Sequence, residues 1–158
     1  MKIALEINNI ANSPIESGFF EAVAKKTFSE AGYDFLDSST GGKKINISLA
    51  LVLPDEIKKL NKEYRQQDSV TDILSFPEHA NVEELKKAAL KNPEEELFLG
   101  ELILCYNDIN EYATKEGLNL EKELAKVFSH GILHLLGFSH GEKMFALQDA
   151  VAGEVSKF

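Results

Sequence analysis

His130-Gly131-Ile132-Leu133-His134-Leu135-Leu136-Gly137-Phe138-Ser139-His140 holds three of the chain's four histidines within eleven residues. From Asn119 onward, Leu124, Val127, Phe128 and Leu135 recur on one helical face, while Ile132, Leu133 and Leu136 fill others. A helix apolar on most sides is a buried helix, so this stretch predicts the central packing element of the molecule. His130 and His134 stand four apart and share one face; Gly137 permits the turn that brings His140 back to the same point from a loop. The pattern predicts a site for one metal ion at the end of a buried helix.

Outward from that helix, the chain alternates between strand and helix patterns. Ile3, Leu5 and Ile7 alternate as a strand, and Ser13-Pro14 opens a helix carrying Phe20, Ala24, Phe28 and Ala31 up to a stop at Gly32. After Gly41 and Gly42, Ile45, Ile47, Leu49 and Leu51 form a second strand. Pro54-Asp55-Glu56 suits a helix start, with Ile57, Leu60 and Tyr64 directed to the core and Lys58, Lys62 and Arg65 on another face. Residues 71–76 and 98–106 read as two short strands able to lie side by side, the first ended by Pro77. The acidic stretch from Glu78 to Glu96, with a weak helical pattern at Leu85, Ala88 and Ala89, reads as a solvated insertion. From Glu142, the residues Met144, Phe145, Leu147, Val151 and Val155 read as a final packing helix. The expected fold is α+β: a single domain over residues 1–158 with one small mixed β-sheet packed with helices.

At 158 residues and 44% hydrophobic composition, one core of ordinary size is affordable. No repeat interrupts it. Met1-Lys2-Ile3-Ala4-Leu5-Glu6 places a charge early and no later run reaches the length of a membrane span, so a cytoplasmic protein without membrane association is expected. Cys105 is the single cysteine and lies in an apolar run, which favours a buried structural thiol over a fourth metal ligand.

The formal charge of −9 argues against a protein that coats nucleic acid through its overall field. A polyanion would have to meet a local patch. Lys43, Lys44, Lys58, Lys59, Lys62 and Arg65 supply one between residues 43 and 66, against the plainer reading of lysines on a solvated helix face. Arg65 is the only arginine, against sixteen lysines. Its planar fork can hold two phosphate oxygens; the competing reading is a structural pair with Asp68 or Asp72.

Three imidazoles suit zinc and leave a fourth tetrahedral position for water, whose pKa can fall to about 7 there. Structural zinc sites are closed by four protein ligands and are rich in cysteine, so a catalytic site is favoured, although a distant carboxylate could close this one. The histidine spacing is shared with metzincin proteases. Those enzymes need glutamate directly after the first histidine as general base, and Gly131 offers no side chain.

The histidine segment resembles the signature of the YbeY family, bacterial zinc-dependent endoribonucleases of rRNA maturation. Leu60-Asn61-Lys62-Glu63-Tyr64-Arg65, Thr71-Asp72-Ile73-Leu74-Ser75-Phe76-Pro77 and Leu99-Gly100-Glu101-Leu102-Ile103 resemble its other characteristic stretches, so the likeness runs from about residue 45 to 141. It implies a mixed α/β fold, one Zn2+ per chain held by His130, His134 and His140, and a functional Arg65. It also implies work on the 3′ end of small-subunit rRNA, ribosome quality control, and contact with ribosomal and ribosome-assembly proteins. Ser139 and Glu101 depart from the family, which usually has aspartate at both positions. The acidic stretch 79–96 has no counterpart in the pattern.

The leading expectation is a single-strand-specific, zinc-dependent endoribonuclease acting on rRNA precursors, with Arg65 on the phosphate and Lys58, Lys62 and Arg65 binding RNA. DNA is not an expected partner. The alternative is a non-catalytic ribosome assembly factor with a structural zinc site. A third class is a zinc hydrolase for another substrate, since no general base is identifiable.

Overall fold

The structure is a computed structural model that describes residues 2–33, 44–91 and 96–157. Lys43, Gly41 and Gly42 lie outside the described residues. The alternating segments form strands β1 (Lys2–Asn9), β2 (Lys44–Leu51), β3 (Ile73–Pro77) and β4 (Leu97–Leu104). Six α-helices are present among the described residues: α1 (Ser17–Glu30), α2 (Pro54–Arg65), α3 (Val82–Lys91), α4 (Tyr106–Glu116), α5 (Leu120–Leu135) and α6 (Glu142–Gly153).

The strands lie in the order β1-β2-β4-β3. β1, β2 and β4 run parallel, with Ile3 beside Ile45 and Leu49 beside Leu102, and β3 pairs antiparallel with β4. The sheet is therefore mixed, and the expected neighbours 71–76 and 98–106 do lie side by side. Ile45, Ile47, Leu49 and Leu51 all face one side and are buried with Leu99, Leu102 and Leu104. Phe20, Val23, Ala24 and Phe28 of α1 and Leu124, Phe128 and Ile132 of α5 join them in the main core. Phe20 and Phe128 meet edge to face at 4.9 Å, a favoured aromatic geometry. A buried contact from Thr27 Oγ1 to Ser129 Oγ at 3.0 Å links the same two helices.

Adjacent strand residues point to opposite faces, which divides β3 between two clusters. Ile73 packs against the main core, whereas Leu74 joins Val52, Ile57 and Cys105 in a smaller cluster flanked by Leu60 and Phe76. Cys105 is a buried free thiol, as expected.

Four readings of the sequence are corrected. The stretch 78–96 is not simply solvated, because α3 inserts Leu85 and Ala89 into the main core. Its two apolar anchors, four apart, stand among charged residues of both signs, which hides them in the sequence. Tyr64 is 52% exposed rather than directed to the core, and Phe145 is 45% exposed rather than packed. The apolar run of β4 ends at Leu104, and Tyr106 begins α4, a helix that the sequence pattern did not reveal. No described helix is long and apolar enough to cross a membrane.

Candidate metal centre

Close packing of α5 on the sheet positions the histidines. A Cβ on Gly131 would lie 2.6 Å from Ile73 Cδ1 and 3.0 Å from Leu102 Cδ2, so the absence of a side chain next to His130 lets the helix approach β3 and β4. The helix ends at Leu136, where Gly137 takes φ +93°, a left-handed conformation that favours glycine. Val82 at the start of α3 packs against that turn, its backbone nitrogen 3.0 Å from where a Cβ would stand. Behind it, the Tyr33 hydroxyl donates to the Leu136 carbonyl at 2.6 Å, satisfying one of the terminal carbonyls of α5.

These constraints bring the three imidazoles together. His134 Nε2 lies 3.1 Å from His130 Nε2 and 3.1 Å from His140 Nε2, and the third side of the triangle is 3.2 Å. His130 Nδ1 donates to Gln148 Oε1 at 2.8 Å, and His134 Nδ1 donates to the Phe138 carbonyl at 3.2 Å. An acceptor opposite Nδ1 places the proton there and leaves a lone pair on Nε2. Two such lone pairs face each other at 3.1 Å, an arrangement relieved by a cation between them. Tetrahedral zinc with nitrogens at about 2.0–2.1 Å would hold its ligands about 3.3 Å apart, so the set fits a metal ion with little adjustment. Burial lowers the pKa of His134 below 6.5, with smaller contributions from His130, His140 and Arg65, and so favours the neutral ring that a metal needs.

Gln148, on α6, was not found from the sequence. It is 6% exposed, and glutamine is not a residue type that announces a metal site. His140, the exposed member of the trio, has no hydrogen-bond partner for Nδ1 among the described residues, and the neighbouring Ser139 is also exposed.

Arg65, the last residue of α2, lines the same cavity as the histidines. Gln66 takes a left-handed conformation that ends α2, and buried Asn61 fastens the returning chain by donating from Nδ2 to the Ser69 carbonyl at 3.0 Å. Arg65 Nη2 donates to the Ser75 carbonyl at 2.6 Å, and its guanidinium lies 5.2 Å from the Phe76 ring centroid. Neither Asp68 nor Asp72 pairs with it; Lys62 instead lies 3.9 Å from Asp68. A cavity of about 440 Å³ is lined by Arg65, Asp72, Ser75 and all three clustered histidines. Lys58 and Lys62 do not line it, and they sit exposed along α2.

A sequence profile of the family described as Endoribonuclease YbeY matches residues 7–155. The chain belongs to the YbeY family. The Endoribonuclease YbeY of Pelagibacter ubique is 34% identical over 122 residues, spanning 77% of this chain and 69% of that one. That of Ureaplasma parvum is 30% identical over 158 residues, spanning 97% and 90%. That of Staphylococcus epidermidis is 35% identical over 113 residues, spanning 68% and 71%. The solution structure of TM1509 from Thermotoga maritima matches at a TM-score of 0.57 and 28% identity, covering 98% of this chain and 89% of that one. Membership of the YbeY family supports an endoribonuclease role, and the three histidines could hold a metal ion.

Proposed function

We propose that this protein is a zinc-dependent endoribonuclease specific for single-stranded RNA, acting in the cytoplasm on rRNA precursors at the small-subunit 3′ end and in ribosome quality control. The reading rests on one juxtaposition: three imidazoles with converging Nε2 atoms share a cavity with the chain's only arginine. In this reading His130, His134 and His140 hold one Zn2+. Zinc bound there supplies Lewis acidity, polarising a phosphoryl oxygen or acidifying water. Arg65 is anchored through Ser75 and Phe76 and keeps further N–H donors for the non-bridging oxygens of a phosphate, whose charge grows as the bond breaks. Lys58 and Lys62, one helical turn apart on α2, would receive neighbouring phosphates, with ribosomal and assembly proteins as further partners. The whole chain, residues 1–158, acts as one endoribonuclease domain.

Three imidazoles lining a cavity, with His140 exposed, favour a catalytic site over a structural zinc site closed by four protein ligands. Purified zinc-loaded protein should cut single-stranded RNA, stop with a chelator and recover with zinc, and His134→Ala should lose both metal and cleavage. A zinc-replete, folded protein that binds RNA without cutting it would favour the non-catalytic assembly factor instead.

A further inference from the structure

His130 and Asp72 border a second cavity of about 430 Å³, which extends away from Arg65 between α4, α5 and α6. Its volume falls within the range of about 300–1,000 Å³ typical of small-molecule sites. Two of its walls are aromatic rings that the core does not use, Tyr112 at 53% exposure and Phe145 at 45%. The Phe145 ring lies 16° from parallel to His140 with centroids 6.3 Å apart, and His140 is in turn stacked on His130 at 5.0 Å. Flat ring surface thus continues outward from the histidine cluster, ending on the apolar Phe145.

Ile109 and Val127 add apolar wall, and most of the charged groups in the lining are acidic. Asp72, Asp108 and Glu123 line the cavity, and the one lysine there, Lys126, is paired with Asp149 at 3.7 Å. Such a lining repels phosphate and accepts N–H donors. The Asp108 carboxylate has no hydrogen bond or ion pair with a described residue, and one Asp72 oxygen is already taken by the Ile73 amide at 2.7 Å. Burial, then the charges of Asp72 and Glu111, raise the Asp108 pKa, so a donor docked against it relieves an electrostatic cost already present in the fold.

We propose that this cavity is a nucleobase subsite: it takes a base of the strand whose phosphate lies at the histidines and Arg65, stacks it on Phe145 and Tyr112, and favours bases with an exocyclic amino group through Asp108. This deepens the endoribonuclease reading and rests on it. The charge division supports the assignment, since a strand needs a cationic place for its phosphate and a neutral or acidic, aromatic-walled place for its base, and the two cavities meet at His130. Adenine and cytosine present an amino donor, whereas uracil presents a carbonyl at the corresponding position. Aromatic stacking accepts any base and supplies affinity.

The test is fluorescence anisotropy of zinc-loaded protein with short 2′-O-methyl oligomers of adenylate, cytidylate and uridylate, beside cleavage of the same sequences as unmodified RNA. The wild type should bind the adenylate and cytidylate oligomers about fivefold more tightly than uridylate. Phe145→Ala, at an exposed position, should weaken all three about tenfold. Asp108→Asn should bring the three affinities together with zinc content unchanged. If Phe145→Ala, Tyr112→Ala and Asp108→Asn all bind as the wild type does, or if the wild type binds none of the oligomers, the subsite is overturned. Intact RNA after incubation, together with the expected binding pattern, would overturn the nuclease reading and leave the subsite standing.

Discussion

Gln148→Met removes the acceptor opposite His130 Nδ1 while keeping an unbranched side chain of similar length in the same buried position. The 2.8 Å contact is a neutral hydrogen bond in the metal-free protein, contributing about 0.5–1.5 kcal/mol net, and it strengthens when the imidazole shares charge with a cation, to about 1.5–3 kcal/mol. The difference falls on metal affinity, because the metal-bound state loses more than the metal-free one. Without the acceptor, His130 is also free to place its proton on Nε2, where it blocks ligation. Zinc affinity should therefore drop about 10–100-fold, the range found when outer hydrogen-bond partners of metal-binding histidines are removed. Gln148→Glu, which supplies a charged acceptor, should bind at least as tightly as the wild type. Competition with a chromophoric chelator reads both, and circular dichroism checks that the fold persists. Wild-type affinity in a folded Gln148→Met variant would refute the role of this contact, and with it the assignment of the Nε2 lone pair.

Arg65→Lys keeps the charge and removes the planar fork, so turnover on single-stranded RNA should fall about two to three orders of magnitude while affinity changes far less; unchanged turnover would make Arg65 a point charge or a structural residue. Lys58→Glu with Lys62→Glu should weaken RNA binding and flatten its dependence on salt, measured by titration across ionic strengths. Gly137→Ala must hold an alanine at φ +93° with Val82 Cγ2 at 2.6 Å, so thermal unfolding should show a loss of about 1–2 kcal/mol or more, together with weaker metal binding as His140 shifts. Because burial lowers the His134 pKa, protons compete with metal at that ring only below pH 6.5. The metal-free protein should also lose stability as pH falls from 6.5 through that lowered value, since the unfolded chain takes up the proton first. Calorimetry of metal-free wild type against His134→Gln reads this contribution, and equal pH dependence would refute it.

The legible part of this protein is the part governed by local periodicity. His130 and His134 four apart, Gly137 before His140, and the alternating residues of β2 declare themselves because helices repeat every 3.6 residues and strands every two. The family likeness was also legible, through segments whose residue types are unusual enough to recognise. What the sequence left open depends on which surfaces meet. Tyr64 and Phe145 carry the residue type and spacing of core positions, yet their neighbours leave them about half exposed, whereas the charged helix α3 gains a place in the core through Leu85 and Ala89. Gln148 stands eighteen residues from His130 and becomes its partner only when α6 packs on α5. Arg65 and Asp108 both precede the histidines in sequence, by 65 and 22 residues counted to His130. The contact of Arg65 with Ser75 and Phe76 of β3, and the packing of α4 against α5, bring a cation to one cavity and a carboxylate to the next. Side-chain type and local spacing settled which atoms could ligate; long-range packing settled what stands around them, because contacts between distant segments leave no period in the chain.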